Sequence, residues 1–74
     1  MKIQYDAEVD ALYIEFCPLE PSSAENRELS EDVIANYALD GTLSGLEIMN
    51  ASAVLGEQLN KVIVEVTPAR HLAA

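Results

Sequence analysis

The dipeptide Asp40-Gly41, set between two runs of strand-forming residues, constrains the fold of this chain more than any other feature. One run spans residues 33–39 and the other spans residues 42–49. Asp and Gly both tolerate the positive φ angles that the two central residues of a type I′ turn require. The sequence therefore predicts a β-hairpin in the middle of the fold, closed by a two-residue turn. This signal predicts a fold and does not indicate an activity.

A two-residue turn also fixes which residues of the central hairpin lie opposite each other. The predicted pairs are Leu39 with Thr42, Tyr37 with Ser44, Ala35 with Leu46, and Val33 with Ile48. One face then carries large apolar side chains, and we expect it to form the core: Val33, Tyr37, Leu39, Leu46 and Ile48. The other face is mixed and holds Ile34, Asn36, Ala38, Leu43, Gly45, Glu47 and Met49. Gly45 inside a strand indicates a bulge or the close approach of another backbone.

Alternation with a period of two predicts further strands. Residues 2–5 and 11–16 are predicted to form a first hairpin, residues 27–29 a short edge strand, and residues 61–66 a last strand that Pro68 ends. Between the first hairpin and the edge strand, residues 17–26 contain two prolines and two serines and predict a mobile surface loop. Residues 50–56 indicate a short helix, capped by Asn50 or Ser52 and ended by Gly56 in a left-handed conformation.

The predicted fold class is α+β, with an antiparallel sheet of four to five strands built from two hairpins and one short helix packed on one face. At 74 residues the chain makes one domain. Its one cysteine, Cys17, permits no intrachain disulfide, so we expect a reducing, cytoplasmic setting. We find no signal peptide at the N-terminus and no apolar run as long as the ~20 residues of a membrane helix.

Thirteen acidic residues against four basic ones give the chain a net charge of −9. This charge argues against binding to nucleic acid and to anionic membranes, since both require Lys and Arg. It is compatible with a basic protein partner, and equally with solubility alone. The acids crowd one segment in which Arg27 is the only base, and this segment is either a solvated face or a docking strip: Glu20, Glu25, Glu28, Glu31 and Asp32.

Catalytic and metal-binding patterns are incomplete. Cys17 and His71 have no third group to orient them, so we expect no enzyme activity and no cofactor. Residues 6–10 resemble the opening of a calcium loop, but the loop's glycine and closing glutamate are missing, so we expect no metal site. We expect Asp6 and Asp10 to bond nearby backbone amides instead. Glu47 is either a buried functional acid or, as we favour, a partly solvated acid beside Lys61 or Lys2.

Three motifs in this order resemble a known family: Tyr5-Asp6…Asp10-Ala11-Leu12-Tyr13-Ile14, Asp40-Gly41…Gly45-Leu46-Glu47-Ile48, and Asn50-Ala51-Ser52. Over about residues 1–55 the chain is similar to the small bacterial YuzE-like domain of unknown function, although Asn50 stands where that pattern has Asp. The resemblance implies a compact α+β fold and supplies no catalytic or cofactor residues. Some relatives are encoded beside small toxin-like proteins, which implies an antitoxin-like role.

Two hypotheses about function follow. The first is a non-enzymatic protein-interaction module that neutralises a basic partner through the acidic segment. The second is a small-ligand or metal-binding domain, with or without enzyme activity, that uses Asp6, Asp10 and Glu47. Because one short helix cannot cover both faces of a sheet, we also expect a homodimer that buries the mixed face, including Ile34, Leu43 and Met49. The alternative is that the loop of residues 17–26 and the tail of residues 68–74 cover this face within one chain.

Overall fold

The structure is a computed structural model that describes residues 1–18 and 25–69. Its strands are β1 (Lys2–Asp6), β2 (Ala11–Glu15), β3 (Glu25–Ser30), β4 (Val33–Tyr37) and β5 (Leu43–Met49). Helix α1 (Ala51–Leu55) follows β5 and continues into a 3₁₀ helix, Gly56–Asn60. All strand pairs are antiparallel and the order is β1-β2-β5-β4-β3, so β1 and β3 are the edges. The predicted α+β class is confirmed. No helix in the described part of the chain is long and apolar enough to cross a membrane.

The two predicted hairpins and the edge strand are present. In the first hairpin Ile3 lies opposite Ile14 and Tyr5 opposite Leu12. The edge strand β3 is longer than predicted, because Glu25 and Asn26 belong to it rather than to the preceding loop. The rest of the predicted loop, residues 19–24, lies outside the described residues.

The turn of the central hairpin differs from the predicted type I′ turn. Asp40 does not adopt a positive φ, and only Gly41 does, at 88°. The Gly41 amide donates to the Ala38 carbonyl at 2.9 Å, and the Ala38 amide donates to the Thr42 carbonyl at 2.9 Å. This is a three-residue loop, in which a β-turn is followed by a left-handed glycine. The side chain of Asp40 accepts the Thr42 amide at 2.9 Å and so stabilises the turn without a positive φ of its own.

The extra loop residue changes the register near the turn. Val33 pairs with Ile48 and Ala35 with Leu46, as predicted. Beyond Asn36 the register shifts, and Tyr37 pairs with Leu43 instead of Ser44. Because paired residues point to the same side of a sheet, Leu43 lies on the face of Tyr37 and not on the mixed face. The prediction that placed it on the mixed face is therefore wrong.

The register creates one apolar face, which consists of Ile3, Tyr5, Leu12, Ile14, Val33, Ala35, Tyr37, Leu43, Leu46 and Ile48. Helix α1 and the 3₁₀ helix lie on this face, where Leu55 and Leu59 line a groove together with Leu12 and Ile48. The cover is thin. Among described residues the buried apolar side chains are Leu12, Ala35 and Ala51, and the largest completely buried side chain is Ser44. One chain therefore buries little apolar surface for its size.

The opposite side is the mixed face, and it contains a close approach that requires glycine. Tyr13 and Glu47 lie opposite each other there. A Cβ atom on Gly45 would lie 2.5 Å from the Tyr13 hydroxyl and 2.8 Å from the Ile14 carbonyl oxygen. The predicted close approach of a neighbouring strand at Gly45 is thus present, in addition to a register irregularity beside it.

The predicted last strand is absent. Residues 61–69 form no strand with any described residue. Lys61 is extended, with φ −125° and ψ 111°, and Lys61, Val62 and Ile63 line the groove on the apolar face without pairing with a described strand. We call residues 61–69 the C-terminal arm. Its apolar side chains are among the most exposed of the chain: Val62 63%, Ile63 81%, Val64 67% and Val66 84%.

Candidate functional site

Asp10 joins the first hairpin to the helix, and we call this cluster the Asp10 junction. One oxygen of the Asp10 carboxylate accepts the Tyr5 hydroxyl at 2.7 Å and the Ser52 amide at 3.0 Å. Its other oxygen accepts the Ser52 hydroxyl at 2.6 Å. The Asp10 carbonyl also accepts the Ala51 amide at 3.0 Å. One residue of the hairpin loop therefore satisfies the first two free amides of α1.

The local backbone explains how Asp10 reaches the helix. Asp10 has a φ of 53°, a left-handed conformation that short polar side chains tolerate better than most. Asn50, which precedes the helix, has a φ of 51°. It makes no side-chain cap, since its amide nitrogen donates to Asp32 at 2.9 Å. Asn50 therefore occupies the predicted N-cap position without capping through its side chain, and the prediction of Ser52 as the cap is wrong, because the capping carboxylate comes from Asp10. Gly56 has φ 55° and ψ −131°, outside the predicted left-handed helical region.

The electrostatics of the junction favour a charged Asp10 and a neutral Tyr5. Hydrogen bonds from the Ser52 hydroxyl and then from the Tyr5 hydroxyl hold the pKa of Asp10 below its usual value. The same hydrogen bond to Asp10 raises the pKa of Tyr5. Asp10 is therefore an acceptor that ties three chain segments together. Its donors already occupy both carboxylate oxygens, which makes it a poor candidate for proton transfer or for a metal ligand.

Asp6, the other acid predicted at this loop, has a local role. Its carboxylate accepts the Glu8 amide at 3.0 Å, the nearby backbone contact that the sequence predicts. For Asp10 the same prediction is only partly right, since its amide partner lies 42 residues away. In the described part of the chain, no group of three or more His, Cys, Asp or Glu side chains could hold a metal ion. His71 lies outside the described residues.

An open groove of about 660 Å³ lies on the mixed face beside the first hairpin loop, with Tyr13, Glu47 and Met49 in its wall. Burial, followed by the charges of Glu15 and Glu47, raises the pKa of Tyr13. Glu47 is half-buried between Tyr13 and Ile34. Neither predicted lysine partner is beside it, since Lys2 lies opposite Glu15 and Lys61 lines the groove on the apolar face. The groove offers an aromatic hydroxyl and a carboxylate without an orienting third group.

The acidic segment occupies the β3 edge and the turn after it. Every residue of β3 is exposed, and within the described chain only β4 pairs with it. Arg27, the one base of the segment, forms a 3.6 Å ion pair with Glu25 and lies 5.0 Å from the centre of the Tyr37 ring. Glu28 and Glu31 are exposed, Asp32 is half-buried, and Glu20 lies outside the described residues. We call Glu25, Glu28 and Glu31 the acidic edge.

The apolar candidates of the mixed face are only partly exposed. Ile34 lies opposite Glu47, Met49 lies opposite Ala11 in the wall of the groove, and both side chains are half-buried. Leu43 belongs to the other face. The unburied apolar surface of this chain therefore lies mainly on the apolar face and the arm, rather than on the mixed face from which we predicted a dimer.

Comparison with known families decides the relationship. The family model described as "Protein of unknown function (DUF2283)" matches residues 2–52. The chain belongs to the DUF2283 family. The matched range runs from β1 to the start of α1 and includes all members of the Asp10 junction, while the arm lies beyond it. Searches among curated proteins and among solved structures gave no significant match.

Sequence reasoning overlooked the Asp10 junction, although its parts were in view. The motifs that carry the family resemblance contain Tyr5, Asp10 and Ser52, which lie far apart in sequence and meet in the fold. The occurrence of all three residues in the motifs of one family resemblance was the sequence feature that could have indicated their contact. The range that the family model matches thus includes the residues that join the helix to the first hairpin.

Proposed function

We propose that this DUF2283 domain is a non-enzymatic protein-interaction module that binds a basic, extended segment of a partner along β3. The observation that carries the proposal is the outer edge of β3, which pairs with no strand of residues 1–18 or 25–69 and displays carboxylates beside its backbone. An extended peptide can add to such an edge through main-chain hydrogen bonds, while its side chains provide specificity. The antitoxin-like role and the YuzE-like relationship that the sequence suggests belong to this proposal, as does a cytoplasmic setting.

The charges of the acidic edge favour a basic partner. Arg27 is held by Glu25 and Tyr37, so it does not neutralise Glu28 or Glu31. With a net charge of −9 the whole chain attracts cationic segments, and the acidic edge concentrates this attraction on one strand. Rim charges of this kind act mostly on the rate of association, and salt screens them over about 10 Å at 0.1 M.

A peptide titration followed by NMR tests the proposal. The probe is a synthetic peptide in which lysine alternates with valine, and we expect amide shifts concentrated in Glu25–Ser30. Combined replacement of Glu25, Glu28 and Glu31 by Gln should weaken binding and reduce its salt dependence. The matched control replaces Glu8 and Glu57 by Gln, two exposed acids outside the edge, and should bind like wild type at β3. Binding that ignores both salt and the triple replacement would contradict the proposal.

A second candidate function uses the groove at the first hairpin loop, where Asp6, Tyr13 and Glu47 lie near one another. A small ligand or a cation held there would stabilise the native state and raise the unfolding temperature. Thermal melts with Ca²⁺, Mg²⁺, Mn²⁺ or Zn²⁺ examine this directly. A midpoint increase that Glu47→Gln abolishes would favour this second function over the first.

A further inference from the structure

The C-terminal arm has a strand-forming sequence and forms no strand with the described chain. Lys61 to Thr67 has valine at every second position, Val62, Val64 and Val66, and contains mostly β-branched side chains, the composition that favours a pleated strand. Its valines and Ile63 are nevertheless largely exposed. In natural proteins the local conformational preference of a segment usually agrees with its conformation in the fold. The arm departs from this rule, because it prefers a strand and forms none with the described chain. A partner that pairs with the arm would remove this conflict.

We propose that the arm pairs with strand β1 of a second copy of this chain, in a two-fold dimer. This interface is separate from the acidic edge, because β1 and β3 are opposite edges of the sheet. The arm leaves its own fold on the β1 side, where Lys61, Val62 and Ile63 line a groove with Ile3. The β1 edge is therefore the nearer of the two free edges.

Charge complementarity between the arm and β1 fixes both direction and register. In antiparallel pairing, Lys61 lies opposite Asp6 and Glu65 opposite Lys2, so both ends of the pairing join opposite charges, while Ile63 lies opposite Gln4 in the middle. Val62 then meets Tyr5 and Val64 meets Ile3, so two apolar pairs extend the apolar face. Parallel pairing of the same residues would place Lys61 opposite Lys2 and Glu65 opposite Asp6. Directly opposed like charges destabilise a sheet, so the antiparallel register is favoured.

The β3 edge is a poorer acceptor for the arm. Its pairing with β4 is regular over four residues, Glu25–Glu28, before the register shifts, so it offers the arm a shorter regular stretch than the five residues of β1. It also carries Glu25 and Glu28, which would repel Glu65 of the arm. By contrast, β1 pairs regularly with β2 over all five of its residues.

The apolar surface available suits an exchange between two copies. Each chain contributes exposed apolar side chains from the edge and from the arm: Ile3, Tyr5, Val62, Ile63, Val64 and Val66. Two-fold symmetry uses every contact twice, since the arm of each copy lies on β1 of the other. The scant burial within one chain, where Ser44 is the largest completely buried side chain, is what a protomer of such a dimer would show.

A charge exchange tests the pairing. Sedimentation equilibrium of wild type should give a dimer at high micromolar concentration. Either Lys2→Glu or Glu65→Lys should raise the dissociation constant, on the order of tenfold, because two symmetry-related pairs become repulsive. The double variant K2E/E65K should restore the wild-type constant. A wild type that stays monomeric throughout, or a double variant as weak as the singles, would overturn the proposal.

Cross-linking distinguishes exchange between copies from folding of the arm onto its own β1. In a Cys17→Ser background, Ile3→Cys and Val64→Cys are combined and the protein is oxidised. Directly opposed strand residues are close enough for a disulfide, so covalent dimers are expected. The matched control pairs Ile3→Cys with Thr67→Cys, which is out of register and should cross-link less. A monomer closed by an internal disulfide would contradict the exchange, as would equal cross-linking of both pairs.

Discussion

Strand β2 and the C-terminal arm have a similar spacing of apolar residues and different structures. Both alternate with a period of two, yet β2 is an interior strand with neighbours on both sides and the arm has no strand partner among the described residues. The difference lies in what surrounds each segment. The Asp10 junction fixes the start of β2, and Tyr13 packs across Gly45 on the neighbouring strand. Within residues 1–18 and 25–69 no comparable side-chain hydrogen bond or strand contact fixes the arm, so alternation alone does not create a strand.

The largest expected effect comes from breaking the contact between β2 and β5. Gly45→Ala should destabilise the fold by about 1–3 kcal/mol, because the new methyl group clashes with the Tyr13 ring and the Ile14 carbonyl. Chemical denaturation measures the loss. In a Tyr13→Ala background, Gly45→Ala should cost less free energy of unfolding than in wild type, because the clash with the Tyr13 ring is absent. The cost should not disappear, because the clash with the Ile14 carbonyl oxygen remains. Strictly additive losses in this double-mutant cycle would show that Tyr13 and Gly45 are not in contact.

Replacement of Gly41 tests the turn that aligns β4 with β5. Gly41→Val should cost about 1 kcal/mol, since the φ of 88° is unfavourable for a β-branched residue. Nothing lies within 4 Å of the added Cβ, so the cost measures backbone conformation without a steric clash. Gly41→Asn is the matched control and should cost less, because Asn tolerates positive φ. Equal denaturation midpoints for wild type and Gly41→Val would contradict the turn described here.

Asp10→Asn should reduce stability by a smaller amount that depends on pH. The folded-state pKa of Asp10 is below its usual value of 3.8, so its ionised form stabilises the fold above that pH. This contribution disappears as the pH falls through the lowered folded-state pKa. The stability difference between wild type and Asp10→Asn should thus be constant near neutrality and shrink in acid. Glu57→Gln serves as a control, and a difference that stays the same at all pH values would refute the charged junction.

The smallest effect on the folding of one chain is expected in the arm. Val64→Ala should change the free energy of unfolding by less than about 0.5 kcal/mol at concentrations where the protein is monomeric, as exposed positions usually do. Ile14→Ala in β2 is the matched comparison and should cost more, because Ile14 lies half-buried between Ile3 and Leu46. Equal losses for the two variants would mean that the arm is packed as firmly as β2.

Local sequence signals predicted most of the sheet because neighbouring segments pair through short turns. Both hairpins, the apolar face and the constraint at Gly45 were evident from periodicity and glycine placement. The turn type at Asp40-Gly41 was not, since Asp40 bonds Thr42 through its side chain and leaves the positive φ to Gly41. That single difference shifted the register and moved Leu43 to the other face.

Contacts between distant segments were harder to predict. The cap of α1 comes from Asp10 and not from the residues beside the helix, and no local pattern specifies such a partner. Glu47 likewise lacks the lysine neighbour that its position suggested, because Lys61 lies on the opposite face. The alternation in the arm indicates a preference for strand conformation. Whether the arm pairs depends on a sheet edge beside it, which the local sequence does not specify.

Hydrogen exchange measured by mass spectrometry over a range of protein concentrations tests the central claim most directly. In β2, both neighbouring strands engage the backbone, and its peptides should exchange slowly at every concentration. Peptides covering Val62 to Val66 should exchange rapidly at low micromolar concentration and become protected as the protein is concentrated. Arm peptides that are as protected as β2 at the lowest concentration, or unprotected at the highest, would contradict the account.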